Sequence, residues 1–336
     1  MLINTINENR VNADIAVYVL YLINSCGIIR FIQIINYMEP TTTNSAPLPQ
    51  APVKIGKFKS SLMITKESWN VLKQDKDVML FPIISTIVTL IASLVFAGAL
   101  FFIFGYAGDR IESMSETQLD VIGYVIGFLW YLVAFFITNY CMACIYLMVH
   151  ARFNGQVISF SQSITLANNH VGKIFVWSAI SSTVGMILRT IAEKSALAGK
   201  IVAALFGAAW NILTYFSLPS LVIGNRSIKD SFHESANLIR KTWGEAIIVN
   251  LGVGAFFGML VFLSIALSVG IVILVPTMVA MIIVGVLLLI ALIVMAIVSS
   301  TLTTILNLAL YEYASTGKVP QGFTPELIQR IIVAKK

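Results

Sequence analysis

Six long apolar runs dominate the sequence and restrict the folds that the chain can adopt. They lie at about residues 79–104, 121–149, 174–192, 201–224, 246–272 and 277–309. About 20 apolar residues in helical conformation cross the hydrocarbon core of a bilayer. A helix also satisfies its own backbone hydrogen bonds there, where water is absent. The runs therefore predict an all-α, polytopic membrane protein with six transmembrane helices.

The composition of the chain supports lipid as its main solvent. Charged residues make up 11% and hydrophobic residues 58% of the sequence, whereas a soluble domain has about 25% charged residues. The net charge of +6 is compatible with nucleic-acid binding, but the basic residues flank the apolar runs. Anionic lipid headgroups explain that placement better. We therefore expect the lipid bilayer, and no nucleic acid, as a partner.

An amphipathic segment at residues 228–243 precedes the fifth apolar run. Its charged and polar side chains occupy one helical face, which is typical of a helix at a membrane surface. Its apolar face comprises Ile228, Phe232, Ile239 and Trp243. Residues 67–73 and 162–168 align with residues 234–240, and each copy precedes a pair of apolar runs. The corresponding apolar faces comprise Phe58, Leu62, Trp69 and Leu72 in one copy and Phe160, Ile164, Ala167 and Val171 in the other.

This arrangement predicts three transmembrane hairpins, each preceded by an amphipathic interfacial helix on the cytoplasmic side. We call these three segments the surface helices. A threefold internal repeat is one explanation. Similar amphipathic linkers on the wet side of any polytopic protein are the other.

The distribution of Lys and Arg predicts the orientation of the chain. Sixteen of these residues flank the runs on the side of the surface helices, and four lie on the opposite side. The positive-inside rule then places both termini of this multi-pass cell-membrane protein in the cytoplasm. The expected contacts with anionic headgroups are Lys66, Lys73, Lys229, Arg240 and Lys241.

The two ends of the chain differ from its middle. Residues 1–37 contain a partly apolar stretch interrupted by Arg30, and residues 38–56 have a Pro/Thr/Ser-rich composition that predicts a disordered linker. We interpret residues 1–37 as a mis-assigned extension, with translation beginning at Met38. A seventh, weakly inserted helix at residues 15–37 is the alternative. The six-span domain then occupies residues 57–323, and residues 324–336 form a short amphipathic helix.

The apolar runs offer few residues for chemistry, since no Asp or Glu lies within them as drawn. The amides Asn139, Asn211 and Asn250 can line a solute path or form interhelical hydrogen bonds. Asn307 is a fourth such amide, close to the inner end of the last run. Cys141 and Cys144 are expected to be buried small side chains, and the three histidines are expected to be solvated at the surface. We therefore predict no catalytic residue, no metal site and no cofactor, and hence a protein that is not an enzyme.

Four short motifs resemble a family of uncharacterised bacterial and archaeal integral membrane proteins, a domain of unknown function. They are Glu67-Ser68-Trp69, Phe81-Pro82, the segment from Lys241 to Gly244 and the segment from Ala309 to Ala314. The resemblance would cover residues 57–323. The alternation of surface helix and span pair is also similar to the membrane domain attached to some glycerophosphodiester phosphodiesterases. Neither resemblance implies a substrate or a site.

Two functions are compatible with these sequence features. The first is a non-enzymatic membrane scaffold that binds lipid headgroups or a partner, either a second copy of the chain or another membrane protein. The alternative is a passive permease or channel for a small solute.

Overall fold

The computed structural model describes residues 57–106, 114–195, 197–241, 245–275 and 277–325. These residues form helices joined by short turns, and they contain no strand. The surface and spanning helices are α1 (Lys57–Gln74), a 3₁₀ turn (Lys76–Met79), α2 (Leu80–Tyr106), α3 (Glu116–Phe153), α4 (Phe160–Asn168), α5 (Val171–Lys194), α6 (Leu197–Leu213), α7 (Ser217–Val222), α8 (Ile228–Lys241), α9 (Glu245–Leu274) and α10 (Met278–Thr316). The expectations for residues 1–37, for the linker at 38–56 and for a helix at 324–336 lie outside these ranges, apart from residues 324 and 325.

Six helical segments are long and apolar enough to cross a membrane, which confirms the predicted class. They are Lys76–Tyr106, Glu116–Phe153, Val171–Glu193, Leu197–Val222, Gly254–Leu274 and Met278–Thr316. Consecutive spans pack as α2 with α3, α5 with α6 and α9 with α10, so the chain forms the three expected hairpins. Helix α3 also packs along α5 and against α10, and α1 contacts both helices of the third hairpin.

The surface helices lie at one end of the bundle. The ring of Phe81, near the start of α2, stacks on the ring of Phe160 in α4 with centroids 4.5 Å apart. Helix α8 contacts α6, α7 and α10, and α1 is held by Arg152, whose guanidinium donates to the Gln74 carbonyl over 2.6 Å. The ends of the spans that precede and follow the surface helices therefore meet in one place.

The apolar core is concentrated at that same end. Helices α3 and α10 contain 38 and 39 residues, so each is about 57 Å long, far longer than the ~30 Å bilayer core. Their buried residues all fall in their last turns, at residues 141–153 and 301–313. By contrast, the most apolar windows of the first, second and fifth spans contain no buried residue. We call the last turns of α3 and α10, together with α1, α4, α7 and α8, the packed end.

Each surface helix turns a serine toward the packed end. Ser68, Ser163 and Ser235 occupy equivalent positions in the aligned segments, and all three are buried. Small side chains at these positions let the helix backbones approach closely, as the common burial requires. Two side chains of the predicted apolar faces lie outside the protein core, since Trp69 is 36% and Val171 is 41% exposed. The helices are rotated to bury their serine-bearing sides, which leaves these two side chains outside.

Candidate functional site

The fourth span is interrupted inside the packed end. Helix α6 ends at Leu213 and α7 begins at Ser217, and the side chain of Ser235 in α8 holds the break. Its hydroxyl donates to the Leu213 carbonyl over 2.7 Å and accepts from the Phe216 N–H over 2.9 Å. Pro219 lies in the first turn of α7, where the N–H that proline lacks has no helical acceptor to lose. A proline at this position is a sequence signal for such a break.

The interruption exposes a backbone carbonyl that a third helix then satisfies. In a continuous helix the Tyr215 carbonyl would accept from the N–H of residue 219, which a proline does not have. The Asn307 amide of α10 donates to that carbonyl instead, over 3.0 Å. The Asn307 oxygen in turn accepts from the Tyr146 hydroxyl of α3 over 2.9 Å. One amide thus joins the second, fourth and sixth spans.

A cavity of about 280 Å³ opens beside this junction. It lies between α3, the second hairpin, α7 and α10, and its lining combines amides, hydroxyls and aromatic rings. The lining residues are Phe135, Asn139, Met142, Tyr146, Trp177, Ser181, Trp210, Asn211, Thr214, Tyr215, Leu218, Thr303, Thr304 and Asn307. None of these residues, all in the described part of the chain, carries a formal charge. The cavity is therefore polar but electrically neutral.

The polar atoms of the cavity differ in how well they are satisfied. The Asn139 amide donates to the Ser178 hydroxyl over 3.0 Å, which ties α3 to α5. The Tyr215 hydroxyl is buried and completes no hydrogen bond of normal geometry with any described residue. It interacts with the Asn307 side chain, so it belongs to the three-helix junction rather than to the open part of the cavity.

The structure brings two of the three amides selected from the sequence into this one cavity. Asn139 and Asn211 both line it, whereas the side chain of Asn250 lies outside the described residues. Asn307, the fourth amide noted in the sequence, lines the cavity too, but its role in joining three spans was not predicted. The sequence signal for this role was Pro219. Because proline has no N–H, the Tyr215 carbonyl needs a hydrogen-bond donor from another element.

A second, charged concavity of about 420 Å³ lies at the surface between α8 and the end of α10. Its lining includes Asp230, His233 and Asn237. The carboxylate of Glu234 accepts from the Ser220 hydroxyl over 2.5 Å and lies 3.4 Å from Nε of Arg226. These contacts fix α8 against α7, so the charges here already have structural partners.

A cation from α5 also holds the loop that joins α7 to α8. The Lys173 ammonium donates to the Asn225 carbonyl and side-chain oxygens and to the Arg226 carbonyl, at 3.2, 2.8 and 3.1 Å. Three residues before it, the Nδ1 atom of His170 is buried without a partner among the described residues. Burial, and secondarily the charge of Lys173, lower the pKa of His170 below its usual value.

The histidines and cysteines do not form a metal site in the described ranges. Within them, no group of three or more His, Cys, Asp or Glu side chains could hold a metal ion. The His150 side chain is 39% exposed, and its Nδ1 atom also lies 2.5 Å from Oε1 of Glu312, which joins α3 to α10. Cys141 and Cys144 are free and buried, as expected. On the other side of the packed end, burial raises the pKa of Asp75.

The basic residues selected from the sequence lie on the outside of the surface helices. Lys66 and Lys73 on α1 and Lys229 on α8 are exposed, as is Arg240, which has a partner within the chain. The Lys73 ammonium lies 5.7 Å from the centre of the exposed Trp69 ring. The side chain of Lys241 lies outside the described residues.

Fold and site together define a multi-pass helical membrane protein with a packed, partly polar end. Residues 121–322 match a family described as "Family of unknown function (DUF6159)", and the chain belongs to that family. No curated protein matches the sequence.

The family assignment confirms the expected membership in an uncharacterised family, although the match begins at the second span. The motifs Glu67-Ser68-Trp69 and Phe81-Pro82 lie before it. The similarity to the membrane domain attached to glycerophosphodiester phosphodiesterases stays a prediction.

Proposed function

We propose that the protein is a non-enzymatic scaffold of the cytoplasmic membrane that gathers anionic lipids around its surface helices. One observation carries this proposal: α1 and α8 bury one face in the packed end and expose cations on the other. Lys66, Lys73 and Lys229 are all on the exposed side. Because α1 and α8 adjoin the ends of the spans, these cations lie at the depth of the lipid headgroups.

The aromatic neighbour of Lys73 supports this placement. Trp69 is 36% exposed, and an exposed indole on a soluble surface is unusual, whereas tryptophan is enriched at membrane interfaces. The ammonium of Lys73 lies beside this ring. At a membrane interface, a long cationic side chain keeps its methylene groups in apolar surroundings and its charged group near the lipid phosphates, and the position of Lys73 fits that arrangement. Each such cation contributes about 1 kcal/mol toward an anionic surface.

The preference for anionic lipid can be measured with the full chain in phosphatidylcholine vesicles that contain spin-labelled phosphatidylglycerol. We expect Lys229→Gln to weaken the association of the labelled lipid with the protein by about fivefold, the equivalent of ~1 kcal/mol. The triple variant Lys66→Gln, Lys73→Gln and Lys229→Gln should lose most of the preference over phosphatidylcholine.

Lys200→Gln is the matched control, since Lys200 is exposed but lies near the start of α6, away from the surface helices. It should keep the preference of the unmodified protein. Added salt should weaken the preference of the unmodified protein, because exposed charges are screened. A triple variant that still selects phosphatidylglycerol as strongly as the unmodified protein would refute the proposal.

A passive permease for a small neutral solute is the second candidate. Its specific support is that Asn139 and Asn211, which were selected as path-lining residues, face the same cavity. In proteoliposomes, a permease should release entrapped urea faster than protein-free vesicles, and Asn211→Leu should abolish the difference. Equal release from vesicles with and without protein would exclude this candidate and leave the scaffold.

A further inference from the structure

One of the three surface helices differs from the other two in charge. Residues 153–172, which include the whole of α4, contain no Asp, Glu, Lys or Arg, whereas α1 and α8 expose lysines. Burial lowers the pKa of His170 in this stretch, so that side chain is uncharged at neutral pH as well. Helix α4 therefore presents an electrically neutral surface, in a chain whose net charge is +6.

The exposed face of α4 consists mainly of side chains that form hydrogen bonds but carry no charge. Ser163 and Ala167 are buried on one side of the helix. The opposite side exposes Gln162, Thr165, Leu166 and Asn169. Asn169 directly follows the helix and keeps helical dihedral angles, with φ −65° and ψ −18°, so the four residues form one stripe. Amides and hydroxyls both donate and accept hydrogen bonds, so this face is complementary to a second copy of itself.

The spacing of the stripe is symmetric about the middle of α4. Gln162 and Asn169 lie at equal distances from a midpoint between Thr165 and Leu166. Two copies inserted the same way in one membrane form a symmetric dimer about an axis along the membrane normal. That axis reverses the direction of a helix that lies along the surface. Two paired α4 helices are then antiparallel, so Gln162 of one copy meets Asn169 of the other.

Electrostatics favours this face over the other two. A contact through α1 would bring Lys66 and Lys73 of both copies together, and a contact through α8 would do the same for Lys229. Like charges brought together in an interface are strongly unfavourable, and charged residues are depleted at interface centres. Helix α4 is thus the surface helix through which two copies can approach each other without this repulsion.

The size of α4 determines how strong such a contact can be. The helix has nine residues, so it is about 14 Å long and ~10 Å wide. A pair of these helices covers less than the ~800 Å² per partner of a standard protein interface. Confinement of both copies to one membrane raises their effective concentration, which favours a small contact. The association should therefore be reversible, and it should be detected more readily in membranes than in dilute detergent.

We propose that the protein forms a two-fold symmetric dimer through the exposed face of α4, with the two helices antiparallel. The second copy supplies hydrogen-bonding partners for the amides at both ends of the contact, and the two Leu166 side chains fill its centre. The cationic faces of α1 and α8 take no part in this contact. The dimer therefore goes beyond the proposed lipid binding and does not depend on it.

Disulfide cross-linking in isolated membranes tests the contact at matched positions. Thr165, Asn70 and Asn237 occupy equivalent positions in the three aligned segments, and all three are exposed. Each is changed to cysteine in turn in the full chain that carries Cys26→Ala; the other two native cysteines are buried. We expect a mild oxidant to convert Thr165→Cys to a covalent dimer on a non-reducing denaturing gel, and to leave Asn70→Cys and Asn237→Cys monomeric.

A pair of opposite charges tests the antiparallel arrangement. Asn169→Lys removes an amide at both ends of the contact and should reduce the cross-linked fraction of Thr165→Cys about fivefold, the size of one neutral hydrogen bond. Adding Gln162→Glu should restore cross-linking, because the carboxylate of one copy meets the ammonium of the other. Glutamate also keeps an acceptor for the Ser159 N–H, which donates to the Gln162 side-chain oxygen over 2.8 Å. In a parallel contact the two substitutions would not meet.

Two controls separate this dimer from folding and from lipid binding. The melting temperature of each variant should match that of the unmodified protein, since all of the changed residues on the three surface helices are exposed. The triple variant Lys66→Gln, Lys73→Gln and Lys229→Gln should lose its preference for anionic lipid and still allow cross-linking through Thr165→Cys. The two proposals can therefore fail separately.

Four results would overturn the dimer. Equal cross-linking of the three cysteine variants would indicate random collisions, and no cross-linking of Thr165→Cys would show that α4 does not meet a second copy. A cross-link from Thr165→Cys to a different protein would assign the face to that partner. A loss in Asn169→Lys that Gln162→Glu does not restore would exclude the antiparallel arrangement.

Discussion

At the residue scale, the polar interior of this protein follows from one proline. Pro219 leaves the Tyr215 carbonyl without its helical donor, and Asn307 supplies the donor from another span. The same amide accepts from Tyr146, so a local defect in one helix becomes a three-helix junction. Buried polar networks of this kind hold helices in a single arrangement, because each alternative packing leaves a group unsatisfied.

His170 gives the chain a pH-dependent stability that can be isolated. Its pKa is lowered from 6.5 in the folded protein, so the unfolded chain takes up the proton first as the pH falls. Stability is therefore complete above about pH 6.5 and decreases as the pH falls below that value toward the lowered folded pKa. Thermal unfolding in detergent at pH 8 and pH 5 should show a smaller pH effect in His170→Gln than in the unmodified protein.

The other two histidines are present in both proteins, so the comparison reports His170 alone. A variant whose melting temperature changes with pH as much as that of the unmodified protein would show that this histidine does not contribute.

At the element scale, the three surface helices share a buried serine but use it differently. The Ser235 hydroxyl bridges the ends of α6 and α7, and the Ser163 hydroxyl donates to the Phe160 carbonyl of its own helix over 2.6 Å. The Ser68 hydroxyl has no partner among the described residues. The common requirement is thus a small side chain at the contact, and hydrogen bonding is an addition in two of the three copies.

This difference predicts opposite results for the same substitution. Ser235→Ala removes a bond from each of two buried backbone groups at the helix break, which should lower the unfolding free energy by about 1–3 kcal/mol. Ser68→Ala removes an unpaired hydroxyl and should be neutral or slightly stabilising. Denaturation in a mild detergent titrated with dodecyl sulfate gives both values. Equal destabilisation by the two variants would mean that the serine at α1 has a partner in solution.

The elements could be predicted from the sequence more fully than the side-chain faces. Apolar length alone locates spans, because lipid requires it, and so the six runs and their pairing were correct. The position of Trp69 outside the protein core could not be predicted, since hydrophobicity predicts which residues avoid water but not whether protein or lipid surrounds them. For the cavity, Asn139 and Asn211 could be selected as polar groups within spans. Asn307 could not be placed without knowing that the fourth span breaks beside it.

At the scale of the whole molecule, tight packing and membrane crossing occupy different parts of the same helices. Helix α10 shows this clearly: Leu306 is fully buried, whereas Leu287 is 60% exposed. The hydrophobic effect cannot drive the association of spans within lipid, since acyl chains are as apolar as leucine. At the packed end, folding transfers apolar side chains from water into the protein interior. The stability of the tertiary structure should therefore come mainly from the packed end.

A pair of identical substitutions on α10 measures this division. Leu306→Ala leaves a cavity in the core and should cost about 2–5 kcal/mol. Leu287→Ala exchanges one lipid-facing apolar side chain for another and should change the unfolding free energy by less than about 1 kcal/mol. Unfolding followed by tryptophan fluorescence in detergent micelles checks both. Similar losses from the two variants would place the stabilising contacts along the whole span.

The last buried turns of α10, residues 301–313, follow all five of the earlier spans in the chain and so leave the ribosome after them. The five earlier spans can enter the bilayer one after another while translation continues, but the core of the packed end stays incomplete until this segment emerges. A nascent chain that has inserted its first five spans is therefore still incomplete at its packed end. An mRNA truncated within the α10 coding region would give a product that is inserted in the membrane but lacks the core of its packed end. We expect such a product to be degraded by the proteases that remove incomplete membrane proteins.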